Sequence, residues 1–128
     1  MDDDGKPIRV LVVDDHRMFT DALTAVLGRD GRFDVVGTAA TGREAVRLAR
    51  DSGAEVVLMD LSMPVLDGPA ATRRLLSLDQ APCVIALSGH TDRLSRAAAL
   101  EAGASAFVTK SEAFDELVAT ILKTCGRE

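Results

Sequence analysis

Short apolar runs that each end in a polar residue are the feature that most restricts the fold of this chain. The runs and the residues that follow them are Ile8 to Val13 before Asp14 and Asp15, Val56 to Met59 before Asp60, Val84 to Leu87 before Ser88, and Ala106 to Val108 before Thr109 and Lys110. Apolar runs of this length, separated by helix-like stretches, are typical of buried parallel strands. The sequence therefore predicts a parallel sheet with polar residues at its strand ends.

Between these runs, apolar residues recur with the spacing of amphipathic helices. The first stripe, predicted to face the sheet, is Met18, Phe19, Ala22, Leu23, Val26 and Leu27, and the last is Phe114, Leu117, Val118, Ile121 and Leu122. A second strand is predicted from Phe33 to Gly37, and Thr41 and Glu44 have the spacing of a capping box. Asp67 and Ser111 are predicted to cap the helices that follow them. This alternation predicts an α/β fold, (βα)5, whose parallel sheet carries helices on both faces.

Length and composition are those of one globular domain. With 128 residues, 47% of them hydrophobic, the chain is predicted to be a single domain with its core from about residue 8 to 125 and an acidic tail at residues 1–6. No apolar run approaches the ~20 residues that span a bilayer, and the acidic N-terminus is unlike a secretory signal. We therefore expect a cytoplasmic protein with no membrane partner. The formal charge of −5 argues against nucleic-acid binding by this segment, because such binding requires a basic surface.

The two cysteines fit no metal-binding pattern. Cys83 opens an apolar run and Cys125 lies near the C-terminus, with no C-x-x-C or zinc spacing. In a reducing cytosol we expect no disulfide between them.

The polar residues after the strands are predicted to share one edge of the sheet. Ligands bind beyond the carboxyl ends of parallel strands, so Asp14, Asp15 and Asp60 should meet there. Carboxylates in contact repel each other by about 1–4 kcal/mol, and Mg²⁺, which prefers oxygen ligands, relieves this repulsion. Lys110 supplies a second positive charge, and this set contains no cysteine or histidine that would favour zinc.

Such a set suits phosphoryl transfer, where positioning and charge neutralisation provide most of the catalysis. Asp60 is the predicted nucleophile, because an aspartate can form an acyl phosphate and a central strand would place it in mid-crevice. Asp14 and Asp15 would hold the metal, and Ser88 would donate its hydroxyl to a phosphoryl oxygen. Taken singly, the aspartates could cap a helix and Lys110 could be a surface residue; their combination favours a site.

The same residues resemble the receiver domain of bacterial two-component response regulators. The similarity runs from about residue 8 to 125 and rests on Asp14, Asp15, Asp60, Ser88, Lys110 and the M-P-x-x-D-G loop at Met63 to Gly68. The triplet Asp14-Asp15-His16 and the stretch from Gly103 to Phe107 are most similar to the NarL/LuxR-type subgroup. The resemblance implies a doubly wound, flavodoxin-like sheet with strand order 2-1-3-4-5.

The resemblance also implies a phosphoacceptor signalling domain rather than an enzyme. In that family a sensor histidine kinase phosphorylates the aspartate that matches Asp60, and the face formed by the fourth helix, fifth strand and fifth helix responds. Ser88, Phe107 and Lys110 would be the phosphoryl-binding and switch residues. The implied Mg²⁺ ligands are Asp15, Asp60 and the backbone carbonyl of Ser62, with Asp14 acting through a bound water.

Three further positions lie close to this predicted site. Ser62 falls two residues after Asp60 and His90 two residues after Ser88, so their side chains are predicted to modulate hydrolysis of the acyl phosphate; the alternative is that they are solvated loop residues. His16 is predicted to face solvent beside the acids. Ser111 stands where the family often has a proline in a cis bond, which leaves the isomer of the preceding peptide bond open.

The sequence leaves some other functions open and disfavours others. The subgroup implies the regulatory part of a transcription regulator, whose helix-turn-helix would follow Glu128 and could bind DNA. A stand-alone receiver, a phosphorelay carrier, a pseudo-receiver that binds proteins without phosphorylation, and a homodimer are left open. An aspartyl-phosphate phosphatase is disfavoured because Ser62 breaks its D-x-D motif, and a dinucleotide enzyme would need a glycine fingerprint after the first strand.

Overall fold

The computed structural model of the chain describes residues 6–61, 68–89 and 93–125. Strands and helices alternate along these residues: β1 Ile8–Val13, α1 Arg17–Gly28, β2 Phe33–Ala39, α2 Gly42–Ser52, β3 Val56–Asp60, α3 Gly68–Leu76, β4 Cys83–Ser88, α4 Arg93–Ala102, β5 Ala106–Thr109 and α5 Lys110–Cys125. All strand pairs are parallel, and the order across the sheet is β2-β1-β3-β4-β5. The predicted (βα)5 fold and its strand order are confirmed. None of the helices that the structure describes is both long and apolar enough to cross a bilayer.

Helices cover both faces of the sheet, which explains why β3 and β4 are buried along almost their whole length, whereas the edge strand β2 carries the exposed polar residues Asp34 and Thr38. In β1, Leu11 and Val13 belong to the core cluster beneath α2, α3 and α4, whereas Val10 and Val12 belong to the cluster beneath α1 and α5. The central strand β3 is buried along its whole length. A polar side chain at the end of β3 is therefore surrounded by packed protein atoms and largely inaccessible.

The strands end level with one another at the carboxyl edge of the sheet. The register pairs there are Val13 with Ala39 and Met59, Asp60 with Leu87, and Ser88 with Thr109. β2 ends at Ala39, two residues beyond its predicted end at Gly37. Residues that follow different strands are thus placed side by side.

The predicted apolar stripes are wrong at some positions of the outer helices. In α1, Met18 is 87% exposed and Ala22 is exposed, while Thr20 is buried instead. On a helix with 3.6 residues per turn, Met18 lies roughly 140° and Ala22 roughly 100° around the axis from the buried Leu23, so both point away from the sheet. In α5, Phe114 is 43% exposed.

Two helix starts follow capping-box patterns. The Oγ1 of Thr41 accepts from the Glu44 N–H (3.1 Å), and the Glu44 carboxylate accepts from the Ala40 N–H (2.9 Å), which confirms the predicted cap of α2. The prediction for α5 is wrong, because the helix begins at Lys110 and Ser111 lies inside it. The T-x-x-E spacing recurs at Thr109 and Glu112, two residues before the cap that we expected at Ser111.

There the Thr109 hydroxyl donates to the Glu112 carboxylate (2.7 Å), and its backbone N–H lies 3.4 Å from the same oxygen. This start places Lys110 in the first turn of α5, directly beyond β5. The described residues contain no cis peptide bond, so the Lys110–Ser111 bond is trans. Asp67, the predicted cap of α3, lies outside the described residues.

The expectation that the cysteines stay unpaired is wrong. Cys83 and Cys125 form a disulfide, with their Cα atoms 5.8 Å apart. The first residue of β4 and the last residue of α5 are 42 positions apart in sequence, and only the packing of α5 against the sheet brings them together.

Candidate functional site

The carboxyl edge of the sheet gathers the three predicted carboxylates. Asp14 follows β1 and is 3% exposed, and Asp60 ends β3 and is 1% exposed. Asp15 is more open, with 35% of its side chain exposed. One ligand atom from each of these residues and from His16 lies within 4.8 Å of all the others. Two buried acids and one accessible acid therefore surround a common point.

Lys110 supplies the counter-charge from directly after β5, which lies two strands from β3 and three strands from β1 in the sheet. Its Nζ lies 2.6 Å from Asp14 Oδ2 and 3.7 Å from Asp60 Oδ1, and only 18% of its side chain is exposed. The start of α5 directly after β5 directs the lysine toward the acids. Three carboxylates and one ammonium leave two formal negative charges, which is the charge that a divalent cation balances.

Asp14 is held in its ionised form by its neighbours. Burial alone would raise the pKa of this carboxyl, but hydrogen bonds from Lys110 and from the backbone and side chain of His16 outweigh the burial and lower the pKa below its ordinary value. The His16 N–H donates to Asp14 Oδ1 at 2.8 Å. A charged Asp14 is therefore available to a metal or to a metal-bound water at neutral pH.

The expectation that no histidine joins the acids is wrong, because His16 is part of their cluster. Its Nδ1 lies 3.0 Å from Asp14 Oδ1, 3.3 Å from Asp15 Oδ1 and 3.3 Å from Lys110 Nζ, although 68% of its side chain is exposed. It occupies the N-cap position of α1 without a side-chain cap bond. Its position directly after Asp14 and Asp15 was the signal that could have identified it.

Phe19 forms an aromatic wall beside the lysine. The Lys110 Nζ lies 4.9 Å from the centroid of the Phe19 ring, within the range of a cation–π interaction. The Phe19 ring in turn meets the Phe114 ring edge to face, with centroids 5.7 Å apart and planes at 69°. The sequence assigns both rings only to the core, and Phe19 lies 91 positions before the lysine that it contacts.

The predicted switch residues lie on the adjacent strands. Ser88 ends β4 and is 2% exposed, level with Thr109, which directly precedes Lys110. Phe107 of β5 is half-buried, on the side of the sheet that α4 covers. The guanidinium carbon of Arg96 in α4 lies 5.9 Å from the Phe107 ring centroid. Phe107 thus connects the sheet with the α4 surface.

Other predicted site positions lie outside the described residues. They are Ser62, His90 and the part of the M-P-x-x-D-G loop from Met63 to Asp67. Their proposed roles stay predictions.

The donor set fits Mg²⁺. Asp14, Asp15 and Asp60 offer carboxylate oxygens, which Mg²⁺ prefers, and it binds proteins through one or two carboxylates together with waters and phosphate oxygens. His16 is the one residue of this cluster that offers a nitrogen ligand. The cluster contains no thiolate, whereas sites that select zinc by softness commonly use one.

Comparisons with known proteins agree with this arrangement. A family model described as "Response regulator receiver domain" matches residues 10–122. The response regulator UvrY of Escherichia coli K12 is 36% identical over 114 residues, which cover 89% of this chain and 52% of UvrY. This chain thus spans about half the length of that relative.

Two solved structures are also similar. The signal receiver domain of the putative response regulator NarL from Mycobacterium tuberculosis superposes with a TM-score of 0.88 at 31% identity, covering 94% of this chain and 98% of that one. A LuxR-family two-component response regulator from Aurantimonas gives a TM-score of 0.85 at 35% identity, covering 92% and 84% of the two chains. The chain therefore belongs to the response regulator receiver domain family, and its relatives place it in the NarL/LuxR-type subgroup.

Proposed function

We propose that this chain is the phosphoacceptor domain of a two-component response regulator and that Asp60 accepts the phosphoryl group of a sensor histidine kinase. The observation that carries this proposal is the buried Asp60 carboxylate at the end of the central strand, 3.7 Å from the Lys110 ammonium and clustered with Asp14 and Asp15. Membership in the receiver family supports it.

In the proposed reaction an Asp60 oxygen attacks the phosphorus of a phosphohistidine. A P–O bond forms as the P–N bond breaks, and the imidazole leaves with the electron pair of that bond. Bound Mg²⁺ would be held by Asp15, Asp60 and the backbone carbonyl of Ser62, with Asp14 acting through a bound water, and it would supply positive charge to offset the charge on the transferring group. Lys110 adds a second positive charge from the protein itself, close enough to Asp60 to reach a phosphoryl oxygen attached there.

Phosphorylation would then reorganise the contacts at the strand ends. The phosphoryl group adds a charge of about −1.5 to −2, so Lys110 would exchange its contact with Asp14 for a phosphoryl oxygen and Ser88 would donate to another. Phe107 would rotate toward the space near Ser88. Because Phe107 packs toward α4 and Lys110 begins α5, both movements would change the face formed by α4, β5 and α5.

The wider role follows from the relatives. We propose that the chain is the regulatory part of a cytoplasmic NarL/LuxR-type transcription regulator, in which a part outside this chain binds DNA. The acidic charge of −5 supports an indirect role for this segment, because phosphate contacts need a basic face.

The test is phosphorylation with a small phosphodonor. Incubation with acetyl phosphate and Mg²⁺ should add one phosphoryl group by intact mass, stable in acid and lost in alkali. Asp60→Asn should abolish the added mass, whereas Asp34→Asn, a matched change at an exposed position of β2, should keep it. A label that persists in Asp60→Asn would place the nucleophile elsewhere and overturn the proposal.

A further inference from the structure

The Cys83–Cys125 pair lies at the opposite end of the sheet from the acidic site. Cys83 is fixed at the start of β4, where its backbone N–H donates to the Glu55 carbonyl (2.9 Å). Cys125 ends α5 and packs against the core cluster that holds Ile121, whose side chain is fully buried one turn earlier. The core contacts of α5 therefore place Cys125 beside the start of β4.

We propose that this pair is a reversible redox modification site that reacts with low-molecular-weight disulfides and thiols. Both cysteines are half-buried, so a small reactant has access to them. A disulfide between Cα atoms 5.8 Å apart needs no rearrangement of the backbone. In a reducing environment the same two residues are present as thiols.

The chemistry is thiol–disulfide exchange. The thiolate of one cysteine attacks the small disulfide, forms a mixed disulfide and releases one small thiol. The second cysteine then attacks the bound sulfur of the first and releases the other small thiol. The two cysteines together lose two protons and two electrons, and the small disulfide gains them; reduction reverses each step.

The position of the bond links it to the acidic site, and this step rests on the proposed function. β4 begins at Cys83 and ends at Ser88, while α5 begins at Lys110 and ends at Cys125. Each element thus carries a proposed phosphoryl-binding residue at one end and a cysteine at the other. Oxidation fixes the far end of α5, a helix of 16 residues, to the sheet. The oxidised form should consequently limit the movement of α5 that phosphorylation of Asp60 produces.

The redox site is tested by trapping thiols after equilibration in buffers of oxidised and reduced glutathione. In oxidising buffer, alkylation of both cysteines should be lost together, and the intact mass should fall by the mass of two hydrogen atoms in a monomer. Cys125→Ser should leave Cys83 either free or as a mixed disulfide with glutathione. If the two wild-type cysteines instead behave as two independent thiols, each free or glutathionylated in the same buffers, the proposal is overturned.

The link to α5 is tested by amide spectra with beryllofluoride and Mg²⁺, a mimic of phosphorylated Asp60. Shifts in α5 should be smaller in the oxidised protein than in the reduced one, and Cys125→Ser should match the reduced protein in both buffers. Equal shifts in both redox states would refute the link. If beryllofluoride shifts nothing in either state while the thiols still react as a pair, the phosphoacceptor proposal fails and the redox site stands.

Discussion

The two ends of the sheet hold their polar groups in different ways. At the carboxyl end, two nearly inaccessible carboxylates share the ammonium of Lys110. At the amino end, Arg32 pairs with Asp30 at the surface (2.7 Å), and the Cys83–Cys125 disulfide ties β4 to α5. Burying charge costs free energy, and a buried pair often returns less than it costs. The buried charges at the carboxyl end thus cost stability, whereas the disulfide at the amino end supplies it.

Asp30 at the amino end and Asp14 at the carboxyl end both have a lowered pKa, but their surroundings differ. Hydrogen bonds from Arg32 lower the pKa of Asp30 to about 2 at the surface, where solvent screens the pair. The pKa of Asp14 is also lowered, but against the opposing effect of burial, by Lys110 and His16. Only at Asp14 would removal of the partner leave a charge in a dry environment.

The largest effect that we expect concerns the amino end. Reduction of the disulfide, or its removal in Cys83→Ser/Cys125→Ser, releases a loop of 42 residues and should lower the free energy of unfolding by about 4 kcal/mol in the loop-entropy model. Urea titrations of the oxidised, reduced and double-variant proteins would measure this loss. The reduced wild type and the double variant should agree, and an unchanged midpoint after reduction would show that the amino end does not stabilise the fold in this way.

The second effect concerns the carboxyl end. Mg²⁺ should raise the melting temperature, because a ligand at a hundredfold excess over its dissociation constant stabilises the native state by about 2.7 kcal/mol. Asp15→Asn should remove most of this gain, and Asp34→Asn should keep it. A melting temperature that does not change when Mg²⁺ is added would contradict a metal site at the acids.

The fold was predictable because the strands are mostly apolar, with β3 buried along its whole length, and the helices between them are amphipathic. The sequence does not specify how each helix is rotated about its own axis. For this reason the prediction that Met18 faces the sheet is wrong. The sequence also does not decide between two overlapping capping patterns at the start of α5. Ser111 is the predicted cap, whereas Thr109 and Glu112 form the cap in the structure. The disulfide was missed because proximity between Cys83 and Cys125 exists only after α5 has packed.

The candidate site was predictable for a related reason. Residues after parallel strands lie at one edge of the sheet, so the placement of Asp14, Asp60 and Lys110 at that edge was predictable. The contact between Lys110 and Asp14 also needs the length of the lysine side chain, because β5 is three strands from β1. Contacts made by neighbouring helices do not follow in this way. His16 and Phe19 both reach Lys110 through the orientation of α1, which no spacing in the sequence specifies.

A third prediction separates charge from packing at the carboxyl end. Lys110→Met keeps an apolar stem against Phe19 but removes the ammonium 2.6 Å from Asp14, and it should lower the free energy of unfolding at neutral pH by about 2 kcal/mol. Lys123→Met, at an exposed position of α5, is the matched control and should change little. Urea titration without Mg²⁺ measures both, and equal losses would show that the ammonium has no special role.

The last and smallest effect concerns the pH dependence of stability that Asp14 and Asp30 each produce. A carboxyl with a lowered folded-state pKa stabilises the fold above its unfolded pKa, near 4, and this contribution is lost as the pH falls through the folded pKa. For Asp30 the loss should extend down to about pH 2, and for Asp14 it should likewise occur below the ordinary value of 3.8. Asp14→Asn and Asp30→Asn should each flatten part of the acid limb of stability measured by urea titration from pH 7 downward.

Salt then distinguishes the two. Exposed pairs are screened by concentrated salt whereas buried pairs are screened much less, so 1 M NaCl should reduce the effect of Asp30→Asn on stability more than the effect of Asp14→Asn. The measurement needs metal-free buffer, because Mg²⁺ would compete with protons for Asp14. If salt reduced both effects alike, the Asp14–Lys110 contact would be a solvent-screened surface pair, and the contrast between the two ends of the sheet would lose its electrostatic basis.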